Sequence, residues 1–110
     1  MSTTAEKVEK YKGNALSQLT AAGVKDVDMK RLDELANRMK SMIDNKDAVL
    51  VSATDPAELE TVRKNFVVKK LGVEDKEKAM AAIHKAAETL KANRQKNRAA
   101  FYYLVQDYLK

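Results

Sequence analysis

The segment Asn93-Arg94-Gln95-Lys96-Asn97-Arg98-Ala99-Ala100-Phe101-Tyr102-Tyr103-Leu104-Val105-Gln106-Asp107-Tyr108-Leu109-Lys110 runs a basic, amide-rich block into the densest aromatic cluster of the chain. On a helical wheel turning ~100° per residue, Leu104, Tyr108, Phe101, Val105, Leu109 and Tyr102 share one arc about 160° wide. That spacing predicts a helix whose rings are mostly core. Tyr103 falls outside the arc, beside Lys96, Ala99 and Asp107, and is expected to face solvent. Continued backward on the same phase, Arg94, Asn97 and Arg98 land on the apolar arc. Two arginines and an asparagine are therefore expected to point inward at the rim of the core. There they either cap carbonyls and pair with acids such as Asp33, Glu34 or Glu88, or they bind an anion. Arg94, Asn97 and Arg98, joined by Lys96, Tyr103, Lys69 and Lys70, make up the candidate anion or partner site.

The same stripe extends upstream through Leu90, Ala86 and Ile83. A single helix from Lys76 to Leu109 would be about 50 Å long at ~1.5 Å per residue. A chain of 110 residues folds to a radius of gyration near ~13 Å, and such a rod would protrude from it. A break near Asn93 follows, with that asparagine as the cap of a fifth helix. The fourth helix starts near Asp75 and buries Ala79, Met80, Ile83, Ala86, Ala87 and Leu90.

Upstream, local capping chemistry sets the helices. Thr3 and Glu6 form a capping-box start, and Val8, Tyr11, Ala15, Leu19 and Ala22 form the first stripe. Gly13 falls on its exposed side. Gly23 is placed as the left-handed residue past the helix end, with Val24 folding back. Asp28 caps a second helix, whose stripe of Met29, Leu32, Leu35, Ala36, Met39, Met42 and Ile43 is the cleanest amphipathic signal. Its methionines serve either as core or as an adaptable groove. Asp55-Pro56-Ala57-Glu58 starts the third helix, with Pro at a position that needs no amide, and Gly72-Val73 ends it as Gly23-Val24 ends the first. Between them, residues 48–51 are apolar and extended. No partner strand is evident, so this stretch either packs as coil or pairs with a copy of itself across a dimer axis. The fold class is all-α: one domain spanning 1–110, a bundle of about five helices.

Composition narrows function mainly by exclusion. There is no cysteine, hence no disulfide, thiolate nucleophile or Cys-based zinc site. The N-terminus lacks the basic start and apolar run of a signal peptide, and no apolar stretch approaches the roughly 18 residues of a membrane span. A cytoplasmic, non-membrane protein is expected. The single histidine, His84, has only Glu88 four residues on as a companion ligand, too few for a metal site. Asp33 and Glu34 point to different helix faces, and no Gly-rich phosphate loop occurs. Neither an enzyme nor a cofactor is expected.

The charge is lopsided. Residues 1–60 carry 9 Lys/Arg against 11 Asp/Glu, while residues 61–110 carry 12 against 5. A basic half marks either a nucleic-acid or acidic-partner face, or simply a solvated surface.

Asn65-Phe66-Val67-Val68-Lys69-Lys70-Leu71-Gly72 and Asn93 through Val105 resemble the two signature segments of a family of small bacterial proteins known only as a domain of unknown function. The resemblance implies a helical, cytoplasmic bacterial protein and brings no activity, ligand or catalytic residue with it. Two readings remain. The first is a non-catalytic protein-interaction or regulatory module, with a protein partner or itself as a homodimer, using the Met stripe or Val49–Val51. The second is a weak, sequence-nonspecific nucleic-acid binder using Arg63, Lys64, Lys69, Lys70, Lys91, Arg94, Lys96 and Arg98, with Tyr103 stacking on a base.

Overall fold

Four acidic or hydroxyl side chains start four of the helices. Thr3 accepts from the Glu6 amide at the start of α1 (Thr4–Ala21), and Asp28 accepts from Arg31 at the start of α2 (Met29–Asn37). Asp55 accepts from Ala57 at the start of α3 (Pro56–Val62), and Asp75 accepts from Lys78 at the start of α4 (Lys76–Thr89). Each bond satisfies an amide with no partner inside the helix. The computed structural model describes residues 3–45, 48–93 and 95–109.

Both Gly-Val exits behave as their chemistry requires. Gly23 and Gly72 sit at φ 89° and 71°, where a Cβ would be strained. The amides of Val24 and Val73 reach back to Leu19 and Val67 carbonyls at 3.0 and 3.1 Å.

Three local expectations are corrected. The second stripe is not one helix to Ile43: α2 ends at Asn37 and tightens into a 3₁₀ turn, Lys40–Met42. The amide of Met39 bonds Ala36 three residues back, and that of Met42 bonds Met39. Met39 is buried, but Met29, at 42% exposure, lies off the core. The third helix widens after Val62 into a π-helical stretch, Arg63–Val68, with five-residue bonds from Lys69 to Lys64 and from Leu71 to Phe66. Most consequentially, the extended segment does have a partner strand inside the chain. β1 (Leu50–Val51) pairs antiparallel with β2 (Lys96–Asn97), Leu50 opposite Asn97 and Val51 opposite Lys96. Two polar residues carry no strand pattern, so the partner was invisible to periodicity.

The final helix, α5 (Arg98–Tyr108), follows the expected break, but its cap is Asn97 rather than Asn93. The Asn97 side chain accepts from the Ala100 amide at 3.2 Å. α5 packs against α1, α2, α4, both strands and the π-helical stretch, and every residue from Lys96 to Val105 is buried. This mostly α-helical fold is built around that helix, at a Cα radius of gyration of 13.1 Å.

Candidate functional site

Where β2 enters α5, the chain places its buried polar residues side by side. Asn97 is 1% exposed. Its amide nitrogen Nδ2 donates to the Tyr11 carbonyl (3.2 Å) and to Asn14 Oδ1 (3.4 Å), and its backbone N–H donates to Gln18 Oε1 (2.9 Å). Arg98, 9% exposed, gives Nε to the Ala48 carbonyl (2.7 Å) and Nη1 to the Tyr102 hydroxyl (3.0 Å). Its Nη2 serves both the Leu50 carbonyl (3.0 Å) and the Glu58 carboxylate. Burial works against the charge of Arg98, but Tyr102 and Glu58 outweigh it and its pKa lies above the usual guanidinium value. Its acid partner is Glu58, not Asp33, Glu34 or Glu88. Of those, Asp33 is paired with Lys12 and Glu88 with Lys91.

Tyr11 completes the arrangement. Its hydroxyl donates to the Val49 carbonyl (2.5 Å) and accepts from the Ala99 amide (3.2 Å). Burial pushes the phenol up to about 12. The carbonyls of Ala48, Val49 and Leu50 are thus met by Arg98 and Tyr11, with the Arg98 amide adding a second bond to Val49 at 2.9 Å.

The structure brings together only part of the expected site. Asn97, Arg98 and Lys96 are adjacent and buried, Lys96 turning its ammonium onto the Asn93 carbonyl at 2.8 Å. Arg94 lies outside the described residues. Tyr103 is not solvent-facing: it is 4% exposed, its hydroxyl accepts from the Asp28 amide (2.8 Å), and Arg31 lies 4.7 Å from its ring centre. The wheel put it opposite the apolar arc, but α5 is covered on that side as well. Lys69 and Lys70 are exposed beyond the π-helical stretch. Among the other basic candidates, Arg63 is paired with Glu60 and Lys91 with Glu88. His84 is exposed, and among the described residues no group of three His, Asp or Glu side chains could hold a metal. Tyr11, Gln18, Arg38 and Glu58 were missed because nothing in their local sequence points across the fold.

Two cavities flank the 48–50 strap. One, of about 520 Å³, is lined by Lys7, Lys10, Tyr11, Asn14, Ile43, Val49, Leu50, Gln95 and Asn97. Its floor is apolar and its rim basic and amide-bearing. Lys7 is held by Asp44 at 2.6 Å, whereas Lys10 and the Gln95 amide have no partner among the described residues. The other, of about 330 Å³, is lined by Arg38, Met39, Met42, Ala48, Thr61, Asn65, Arg98 and Tyr102.

Comparison with protein families matches residues 6–110 to one family. The chain belongs to the family described as protein of unknown function (DUF2853). The match spans the whole of the cluster around Arg98 and both cavities, so these are features of a family member and not of an appended segment. A comparison with curated proteins found no match. No helix among the described residues is long and apolar enough to cross a membrane.

Proposed function

We propose that this protein is a non-catalytic protein-interaction module, and that the larger cavity, between α1 and the β1–β2 pair, is its recognition face. The observation that carries the reading is the chemistry of that cleft. Its floor of Ile43, Val49, Leu50 and the Tyr11 ring is apolar. Lys10 and Gln95 at the rim bear free donors, while the inner polar groups are already engaged. Its volume of about 520 Å³ falls within the roughly 300–1,000 Å³ of ordinary binding pockets. That combination suits a partner segment carrying apolar side chains and a carboxylate, which Lys10 would meet at the rim.

The nucleic-acid reading has less to support it. Of its intended contacts, Lys96, Arg98 and Tyr103 are buried and Arg63 and Lys91 are paired. Lys64, Lys69 and Lys70 remain exposed, fewer than the several phosphate contacts that give a steep salt dependence.

The test is a pull-down from native lysate with nuclease treatment, using wild type and a variant in which exposed Asn14 is replaced by Trp to fill the cleft. A protein retained by wild type and lost by the N14W variant, still folded by circular dichroism although Asn97 gives up its Asn14 acceptor, is the expected result. Retention unchanged by N14W overturns the cleft assignment. A low-salt titration with mixed DNA and RNA separates the other reading, since salt-sensitive binding there would favour it.

A further inference from the structure

The smaller cavity has a different character. Arg98 has five N–H donors, of which four are assigned: Ala48, Tyr102, Leu50 and Glu58 take them. One Nη1 proton is left. The Tyr102 hydroxyl accepts from Arg98, and its own proton has no acceptor among the described residues. Arg38, opposite, makes no ion pair among the described residues and rests 5.5 Å from the Phe66 ring centre. The Asn65 amide is likewise unengaged, and the π-helical stretch that holds it also sets Phe66 flat against Tyr102, 4.1 Å between ring centres. Met39 and Met42 supply the apolar wall. The free groups of this pocket are thus the Arg38 guanidinium, one Arg98 Nη1 proton, the Tyr102 hydroxyl proton and the Asn65 amide, and no carboxylate lines it.

We propose that the pocket formed by Arg38, Met39, Met42, Asn65, Arg98 and Tyr102 binds a small monocarboxylate with a short apolar stem. The charges favour a monoanion. Arg38 and Arg98 bring two positive charges and Glu58 cancels one, so a single negative charge balances the site and a dianion does not. The carboxylate lies between the free Arg38 fork and the Tyr102 hydroxyl, a pairing suited to guanidinium geometry. The stem lies along the two thioether side chains, which adapt to varied shapes. The volume of about 330 Å³ limits the ligand to a small acid. This site does not depend on the partner cleft on the other side of the strap.

The test is a titration of the isotope-labelled 110-residue chain with sodium butyrate, sodium acetate and sodium phosphate at constant ionic strength, with sodium chloride as control. Backbone amides and arginine Nε–H groups are followed by NMR. The expected result is saturable shifts centred on residues 38–42, 61–65 and 98–102, tighter for butyrate than for acetate. Arg38→Gln should weaken butyrate at least about tenfold, the loss of one charge-assisted pair. Arg38 is exposed and unpaired, so this variant is expected to fold. Should it not, Asn65→Asp places a negative charge on the wall and should abolish binding. Shifts reproduced by chloride, phosphate bound more tightly than butyrate, or saturable binding indifferent to both substitutions would each overturn the proposal. None of these readouts involves a protein partner, so failure here and failure of the interaction reading are separate results.

Discussion

Replacing Arg98 with methionine keeps most of the side-chain volume and removes the guanidinium donors to the Ala48 and Leu50 carbonyls of the 48–50 strap. Two carbonyls, Ala48 and Leu50, and the Glu58 carboxylate lose their partner. Removing one member of a fully buried ion pair costs about 3–5 kcal/mol. Here the Glu58 side chain is 24% exposed and regains water, which lowers that cost to about 1–2 kcal/mol by the same reasoning. Each orphaned carbonyl adds about 1 kcal/mol or more where water cannot reach it. Because the losses share one side chain they do not simply add, and about 3 kcal/mol is expected in total. At about 2.1 cal/mol/K per residue of unfolding entropy, 1 kcal/mol shifts the melting temperature of a chain this size by about 4 °C, so the variant should melt about 12 °C lower. Urea unfolding and thermal melts followed by circular dichroism measure both quantities. Arg98→Lys retains the charge but reaches fewer acceptors and should fall between. A double-mutant cycle with Glu58→Gln should return a coupling of about 1 kcal/mol. If Arg98→Met unfolds within about 0.5 kcal/mol of wild type, the strap is held by packing and the argument from donors fails.

Tyr103→Phe removes only the hydroxyl that accepts from the Asp28 amide, and should cost about 1 kcal/mol by urea unfolding, a loss that a solvent-facing ring would not show. Tyr11 titrates at about 12 in the folded chain against an ordinary 10.0. The folded pKa is the higher, so the stabilisation is fully present below pH 10 and is lost as the pH rises toward 12; the unfolded chain releases its proton first. Tyr11→Phe should lower stability at neutral pH yet flatten its alkaline decline, which unfolding curves on both sides of pH 10 will show. Gly13 lies in the middle of α1, and a Cβ there meets nothing within 4 Å. Gly13→Ala should therefore stabilise by about 0.5–1 kcal/mol, read as a higher melting temperature.

What the chain discloses about itself follows the range of each interaction. Thr3, Asp28, Asp55 and Asp75 act on amides two or three residues away, so the sequence alone locates those helix starts. Gly23 and Gly72 are equally local. The site fails this test of range. Arg98 reaches Leu50 and Glu58, 48 and 40 residues away, and Asn97 reaches Tyr11 across 86. Periodicity placed both side chains inward but could not name their partners. Tyr103 was misplaced for another reason. A wheel ranks faces on the assumption that one of them is wet, and α5 has none through Val105. The uncharged run Ala99–Val105 carried that signal, since a helix apolar all round is a buried helix.

A mostly helical protein that keeps an extended strap inside it must find donors for carbonyls that no helix serves. A ladder of two residues per strand cannot supply them. Arginine at the first turn of the central helix can, because its planar fork presents several donors at fixed angles to acceptors spaced along one strand. A lysine would offer three donors on a single compact nitrogen, which cannot span acceptors spaced along a strand as the guanidinium does. The tyrosine at position 11 covers the remaining strap carbonyl from the opposite side, reaching Val49 at 2.5 Å. The buried charge is therefore explained by the strap, and the same side chain lines the smaller pocket. Arg98 thus holds the strap through Ala48 and Leu50 and, by donating to the Tyr102 hydroxyl, leaves that hydroxyl's own proton free for the proposed ligand.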